Sequence, residues 1–240
     1  MPTAGASSSA SQTQKMDRMY RWTRHVYDLT RRYYLLGRNR VLRQIAGRSA
    51  GHVLEIGCGT ARNLCLLHEK APQHTLYGLD ASRAMLSTAR KSTEQAGCAT
   101  AVTLGQGLAE SLDPPSQLGV DRTFDVIFFS YVLSMIPSWA EALEAALTHL
   151  SPGGQLYIVD FWDQAKLPPG TGAVLQGWLS LFGAKPRPDL ISTIRWLDTQ
   201  RGLSSAVVPV ARRYGYIATV TLQTRPNRPF FFPACCTSAS

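Results

Sequence analysis

Short apolar runs alternate with amphipathic segments along the middle of the chain. The runs are rich in aliphatic and aromatic side chains, which is typical of strands buried on both faces of a sheet. They lie at 53–56, 75–80, 101–104, 124–129 and 155–160. Segments with helical spacing of apolar residues lie at 61–70, 82–97 and 138–150. This alternation implies right-handed crossovers and predicts a parallel sheet with helices on both faces.

The pattern changes after Asp160. Two further helices are predicted at 173–183 and 190–199. Residues 204–223 read as two strands around a tight turn at Tyr214–Gly215, which predicts an antiparallel hairpin. The sequence therefore predicts an α/β fold, a Rossmann-like, doubly wound and mostly parallel seven-stranded sheet that ends in an antiparallel hairpin.

Composition divides the chain into four segments. Residues 1–14 are small, polar and without periodicity, which predicts a disordered tail. Residues 15–48 have helical periodicity and many cations, with Gly37 as a break between two helices. We assign residues 49–226 to the α/β domain and residues 227–240 to a C-terminal tail.

The positive charge of the chain is concentrated in the basic segment, residues 15–48. The whole chain has a formal net charge of +9, and this segment holds ten Lys or Arg against Asp17 and Asp28. The ten cations are Lys15, Arg18, Arg21, Arg24, Arg31, Arg32, Arg38, Arg40, Arg43 and Arg48. This concentration indicates an anionic partner surface, either nucleic acid or the head groups of acidic lipids. An ordinary solvated helix face would show the same pattern.

Cysteine use and hydropathy exclude several classes of protein. The five cysteines include no Cys-x-x-Cys pair, which argues against a disulfide scaffold or a zinc site and for a reducing compartment. No apolar run reaches the roughly 18–20 residues that a membrane-spanning helix needs. We therefore expect a cytoplasmic protein with no bound metal.

A glycine-rich turn follows the first predicted strand, in VLEIGCGTARN (53–63). Gly57 and Gly59 let the backbone turn sharply and approach a ligand at the start of the next helix. A dinucleotide-binding loop would have its third glycine at Arg62, and a long side chain there disfavours that interpretation. The pattern of an acidic residue, one spacer and Gly-x-Gly is instead supplied by Glu55, Gly57 and Gly59.

Downstream segments extend this loop into a larger pattern. Asp80 ends the second strand, where a carboxylate can accept hydrogen bonds from both hydroxyls of a ribose. GLAE (107–110) follows the third strand, and FFSYVLSMI (128–136) follows the fourth. In order and spacing these elements resemble the class I S-adenosylmethionine-dependent methyltransferases, although Ala61 and Leu108 replace a glycine and an aspartate of that family. The resemblance implies S-adenosylmethionine as cofactor, with binding residues Glu55, Gly57, Cys58, Gly59, Asp80, Ala81, Leu108, Ala109 and Ser130.

Rings and cations crowd the stretch YDLTRRYYLLGRNR (27–40), with three tyrosines and four arginines. Together with the glycine-rich loop and the lead MDRMYRWTRHVYD (16–28), it resembles the N-methyltransferases of betaine-lipid synthesis. Those enzymes methylate the amine of diacylglyceryl-homoserine three times. The resemblance implies that residues 15–48 form a helical lid and that the substrate is a lipid at an anionic membrane surface. It also implies peripheral association with the membrane and no nucleic-acid partner.

Roles within this lid follow from the chemistry of such a substrate. Arginines suit a carboxylate through bidentate pairing, and tyrosine rings suit a methylated ammonium. The substrate-binding candidates are Arg31, Arg32, Tyr33, Tyr34 and Arg38. Tyr27 and Asp160 are the candidate catalytic residues, because a tyrosine or carboxylate near the amine would help to remove its proton. Asp160 and Asp163 lie beyond the fifth strand, where either could attract the substrate ammonium.

Two alternatives share most of these features. A methyltransferase for another acceptor, such as an ethanolamine phospholipid or a polyprenyl quinone, would have the same cofactor loop. A non-catalytic protein of the membrane surface could retain the fold, although it would have no physical need for Glu55, Gly57, Gly59 and Asp80. A nucleic-acid methyltransferase is disfavoured, because the chain has no Asn-Pro-Pro-Tyr or Pro-Cys type of catalytic motif.

Overall fold

The computed structural model describes residues 35–166, 177, 187–197, 199 and 202–223. Its strands are β1 (His52–Ile56), β2 (Thr75–Asp80), β3 (Val102–Gln106), β4 (Phe124–Ser130), β5 (Leu150–Phe161), β6 (Leu203–Val210) and β7 (Gly215–Leu222). Its α-helices are α1 (Arg38–Ala46), α2 (Arg62–Lys70), α3 (Arg83–Gln95), α4 (Pro114–Leu118), α5 (Trp139–Thr148) and α6 (Pro188–Leu197). A 3-10 turn covers Ala109–Ser111. Each predicted strand inside the described ranges is present.

The seven strands form one sheet in the order β3-β2-β1-β4-β5-β7-β6. The pairs among β1 to β5 are parallel, whereas β7 runs antiparallel to both β5 and β6. The predicted mostly parallel sheet with a terminal antiparallel hairpin is therefore confirmed. The strand order reverses between β1 and β4, and such a reversal opens a crevice beyond the carboxyl ends of the two strands.

Side chains of alternate strand residues divide between two cores, one on each face of the sheet. In β1, Leu54 packs into the core that contains α5, whereas Val53 packs into the core that contains α1, α2 and α3. In β4, Phe129 and Phe128 divide in the same way. Burial of each such side chain contributes about 1.5–3 kcal/mol. Because both faces are covered, the strands show as continuous apolar runs in the sequence.

The turn between β6 and β7 differs from the prediction. It lies at residues 211–214, and the predicted Gly215 is the first residue of β7. A Cβ on Gly215 would meet the carbonyl oxygen of Asp160 at 2.7 Å, so this glycine allows close approach to β5. Ala211, Arg212 and Arg213 make the turn instead, with φ of 44°, 57° and 66°. The sequence rule failed because three side-chain-bearing residues adopt the left-handed conformation that usually favours glycine.

The basic segment enters the described structure only at its end. Gly37 has φ of 87° and directly precedes α1, which confirms a helix boundary at this glycine. α1 then packs Val41, Leu42 and Ile45 into the core. The predicted tails, the first helix of the basic segment and all of the predicted helix 173–183 except Gly177 lie outside the described residues. No described helix is long and apolar enough to cross a bilayer.

Candidate functional site

A pocket opens at the carboxyl ends of β1, β2 and β4, where the strand order reverses. Six of the residues predicted to bind the cofactor line it, namely Gly57, Gly59, Asp80, Ala81, Leu108 and Ala109. Ile56, Met85 and Gly107 add to the same walls. Glu110 and Asp80 are the charged side chains among the described lining residues. The pocket is thus mostly apolar with two carboxylates, which suits a ligand that has a ring system and positive charge.

The loop after β1 brings backbone rather than side chains to the pocket. Gly57 has φ of 73°, and a Cβ there would lie 2.5 Å from Cγ2 of Val132, a lining residue that packs against this glycine. The N–H groups of Gly57 and Cys58 both donate to the carbonyl of Leu79, at 2.7 and 3.0 Å. Ala61, at the family's third glycine position, has φ of 59° and is fully buried. The loop therefore keeps the left-handed geometry even where alanine replaces glycine.

Asp80 fastens this loop to the end of β2. One carboxylate oxygen accepts the N–H of Gly59 at 2.8 Å, and the other accepts the N–H of Ser82 at 2.9 Å. The carbonyl of Asp80 also accepts the N–H of Gly107 at 3.1 Å, which ties in the loop after β3. A carboxylate accepts hydrogen bonds only, which suits it to ligand hydroxyls. Asp80 thus joins three walls of the pocket and faces into it.

Three predicted cofactor-binding residues lie outside the pocket wall. Glu55 is buried in β1, where it accepts a hydrogen bond from Asn63 Nδ2 at 2.6 Å. Cys58 packs toward Gly78 of β2, and Ser130 is buried at the end of β4. None of the three lines the pocket, and their predicted contact with the cofactor stays a prediction. Through its bond to Asn63, Glu55 holds the first turn of α2.

The segment 128–136 that the sequence singled out after the fourth strand forms a wall of the pocket, but the lining residues are Tyr131, Val132, Met135, Ile136 and the next residue, Pro137, rather than the predicted Ser130. Tyr131 has φ of 59°, which is uncommon for a bulky residue and marks a functional or strained position. Its hydroxyl donates to the carbonyl of Leu36 at 2.5 Å, just ahead of α1. This side chain therefore connects the pocket to the end of the basic segment. The positive φ that aims it is not visible in the sequence.

Asp160 lies behind this wall rather than at the pocket. The side chain is 1% exposed, and its oxygens accept the N–H of Ser134 at 2.9 Å and of Phe161 at 2.8 Å. Burial raises the pKa of Asp160 from 3.8 to about 6, and the hydrogen bonds from Ser134 and Phe161 oppose that rise. Asp160 does not line the pocket, and its predicted catalytic role stays a prediction. Asp160 positions the segment 131–134.

The burial of Asp160 makes stability depend on pH. Its folded pKa of about 6 lies above the unfolded value of 3.8, so the folded state binds the proton more tightly. Protonated Asp160 therefore adds about 3 kcal/mol to the free energy of unfolding. This contribution is fully present below about pH 4 and is lost as the pH rises through 6. Urea unfolding at pH 4 and pH 7 should show that the unchanged protein loses more stability between these two pH values than Asp160→Asn does. Equal pH dependence of the two proteins would contradict the assignment.

Four of the five predicted substrate-binding residues lie outside the described residues, namely Arg31, Arg32, Tyr33 and Tyr34. The catalytic candidate Tyr27 also lies outside them. Arg38 is described, and it is 8% exposed at the start of α1 and does not line the pocket. Asp163, the alternative to Asp160, pairs with Arg213 and is about one-third exposed.

Comparisons with known proteins agree with this architecture. Residues 54–156 match the family described as "Methyltransferase domain". The demethylmenaquinone methyltransferase of Listeria welshimeri is 31% identical over 134 residues, which are 55% of this chain and 50% of that protein. The phosphatidylethanolamine N-methyltransferase of Cereibacter sphaeroides is 30% identical over 118 residues, 49% of this chain and 54% of that protein.

The fold is similar to that of a solved structure. An O-methyltransferase family protein from Burkholderia thailandensis superimposes with a TM-score of 0.59 at 18% identity, over 88% of this chain and 59% of that one. The likeness confirms the Rossmann-like fold, and the matches together support the prediction of an S-adenosylmethionine-dependent methyltransferase. The chain spans about half the length of the curated relatives it matches.

Proposed function

We propose that this chain is an S-adenosylmethionine-dependent N-methyltransferase that converts diacylglyceryl-homoserine to diacylglyceryl-trimethylhomoserine by successive methyl transfers to the amine. The proposed methyl donor rests on one observation, the pocket at the strand-order reversal, which Asp80 and the backbone of Gly57 and Gly59 line. The proposed methyl acceptor rests on the resemblance of residues 27–40 to the betaine-lipid N-methyltransferases and on the residues around the pocket.

The pocket residues fit the parts of S-adenosylmethionine. A Cβ on Gly57 would clash with Val132, so the glycine lets the loop after β1 pack directly against the wall after β4. The carboxylate of Asp80 can accept hydrogen bonds from ribose hydroxyls, and the apolar side chains of Met85 and Leu108 suit the faces of an adenine ring. The carboxylates of Asp80 and Glu110 favour a ligand with a sulfonium and an ammonium group.

The wall after β4 suits the acceptor side of the reaction. When bound, S-adenosylmethionine supplies a methyl group on sulfur, which a neutral amine takes up by in-line displacement. Val132, Met135 and Ile136 present apolar surface, and removal of water from an amine lowers its pKa and favours the neutral, attacking form. The main contribution of these residues is therefore positioning and desolvation. Each of the three transfers needs the nitrogen in its neutral form, so one proton leaves the nitrogen before each transfer and passes to solvent.

Features near the pocket support an acceptor with an anionic group. Arg187, ahead of α6, donates through a guanidinium NH2 group to the carbonyl of Ile136 at 3.4 Å. This cation stands against the wall where the acceptor would enter, and a guanidinium can pair with a carboxylate. The similarity to a phosphatidylethanolamine N-methyltransferase supports a lipid amine as the acceptor class.

A second candidate is a methyltransferase that acts on a polyprenyl quinone. The similarity to a demethylmenaquinone methyltransferase favours it, as does the largely apolar wall after β4. A carbon acceptor would need a stronger base than an amine does. The described histidines lie outside the pocket wall, which favours the amine.

An acceptor panel tests the proposal. The purified protein would be incubated with S-adenosylmethionine labelled in the methyl group and with micelles of diacylglyceryl-homoserine, phosphatidylethanolamine or a demethylated quinone. We expect label in the mono-, di- and trimethylated homoserine lipid. Label confined to the ethanolamine lipid or the quinone would replace the substrate, and no transfer to any acceptor despite measured cofactor binding would contradict the lipid assignment.

A further inference from the structure

A second concave surface lies on the other side of β5 from the pocket. Its walls come from the loop after β5, from α6, and from the β6–β7 turn. Four cations line it, Lys166, Arg195, Arg212 and Arg213, together with the ring of Trp162. We name this surface the hairpin groove. It belongs to the part of the chain that is nearly neutral overall, so its charge is a local feature.

Charges within the hairpin groove are unevenly paired. Arg213 forms an ion pair with Asp163, and its guanidinium carbon lies 4.7 Å from the centre of the Trp162 ring. Asp163 is the acidic side chain among the described lining residues, and this pair neutralises it. Lys166, Arg195 and Arg212 are exposed. The groove therefore presents three solvent-facing cations around one internally satisfied ion pair.

The backbone holds one of these cations at a conformational cost. Arg212 is the middle of three consecutive residues with positive φ, a conformation disfavoured for residues that have a side chain. The turn is fixed to the loop after β5, because Gln164 N–H donates to the carbonyl of Arg213 at 3.0 Å and Trp162 N–H donates to that of Tyr214 at 3.0 Å. Such backbone conformations persist mainly at functional sites.

We propose that the hairpin groove docks the protein on a bilayer that contains anionic lipids. Exposed cations attract an anionic surface, and each contributes when it lies within a Debye length of the head groups. Half-buried Trp162 and exposed Pro209 add aromatic and apolar surface to the same groove. A tryptophan beside exposed cations favours the membrane interface over a nucleic acid. The proposal draws on the proposed function only in that a lipid substrate requires such docking.

Vesicle binding tests this proposal without methyl transfer. The full chain would be titrated with vesicles of phosphatidylcholine containing about a third phosphatidylglycerol, lipids that have no primary amine, and with pure phosphatidylcholine. Arg195→Gln/Arg212→Gln should weaken binding to the anionic vesicles by on the order of tenfold. The matched control is Arg90→Gln/Lys91→Gln, which removes the same charge from exposed positions of α3 and should change binding much less.

A second variant separates docking from folding. Arg212→Gly removes the cation and relieves the positive φ, so it should weaken vesicle binding while the melting temperature is kept or rises. Equal effects of the groove and control variants, or equal binding to vesicles without anionic lipid, would overturn the proposal. So would loss of duplex RNA binding in the groove variant with vesicle binding unchanged, which would assign the groove to nucleic acid. A failed acceptor panel with intact vesicle binding would reject the substrate and leave the groove standing.

Discussion

Replacing Gly57 with alanine is expected to weaken S-adenosylmethionine binding by more than about tenfold. Two independent effects act at this position. The φ of 73° disfavours any residue with a Cβ, by about 1–2 kcal/mol. The new Cβ would also lie 2.5 and 2.7 Å from the two γ-carbons of Val132, and such overpacking costs typically 1–3 kcal/mol. Because Gly57 and Val132 are in direct contact and both line the pocket, relief of the clash must move one of the two lining segments.

A second substitution separates the two effects. Val132→Ala removes both γ-carbons but leaves the backbone of residue 57 unchanged, so the double variant Gly57→Ala/Val132→Ala should recover part of the affinity. Calorimetric titration of the unchanged protein, the two single variants and the double variant gives the coupling free energy between residues 57 and 132. Additive losses would contradict the contact between the two walls, and normal binding by Gly57→Ala alone would place the cofactor elsewhere.

Replacing Asp80 with alanine should weaken cofactor binding by roughly 10- to 150-fold, because hydrogen bonds to a charged group contribute about 1.5–3 kcal/mol. The variant loses the acceptor for ribose hydroxyls. It also releases the N–H groups of Gly59 and Ser82, which hold two walls of the pocket in place. Asp80→Asn keeps one acceptor oxygen, so its affinity for the cofactor should lie between those of the unchanged protein and Asp80→Ala.

The control for Asp80 is Asp121→Ala, which removes a carboxylate from an exposed position between α4 and β4. Calorimetry should give this control the affinity of the unchanged protein. If Asp80→Ala bound equally well, the acidic residue at the end of β2 would have only a structural role in the loop. Melting temperatures of all variants show whether a lost affinity reflects a lost fold.

Sequence periodicity was sufficient for the fold because the sheet is buried on both faces. The apolar runs of β1 to β5 and the intervening helices follow directly from that burial. The glycine-rich loop and Asp80 were also predictable, since their chemistry depends on residue type at fixed points of the strand-loop-helix pattern. The bond from Asn63 to buried Glu55 could not be predicted, because it depends on how α2 packs against β1.

The remaining features depend on backbone conformation and on tertiary packing. Tyr131 and the residues after it form a pocket wall, yet a tyrosine after an apolar strand carries no signal of its φ of 59°. Asp160 was predicted to act on the substrate, but β5 extends to Phe161 and its side chain is buried, which only the tertiary packing decides. The hairpin groove combines residues from three separated segments, and only the fold brings these cations together. The roles predicted for the tyrosines and arginines of residues 27–34 stay predictions.

The most direct test of the account is where S-adenosylmethionine binds. Ultraviolet cross-linking of the methyl-labelled molecule to the full chain, followed by peptide mapping, reports the contacting segments. We predict label in the peptides that contain Gly57–Gly59, Asp80–Met85 or Tyr131–Pro137, and loss of that label in Asp80→Ala. Label in the hairpin groove or elsewhere, unaffected by Asp80→Ala, would contradict a methyl-donor site at the carboxyl ends of β1, β2 and β4.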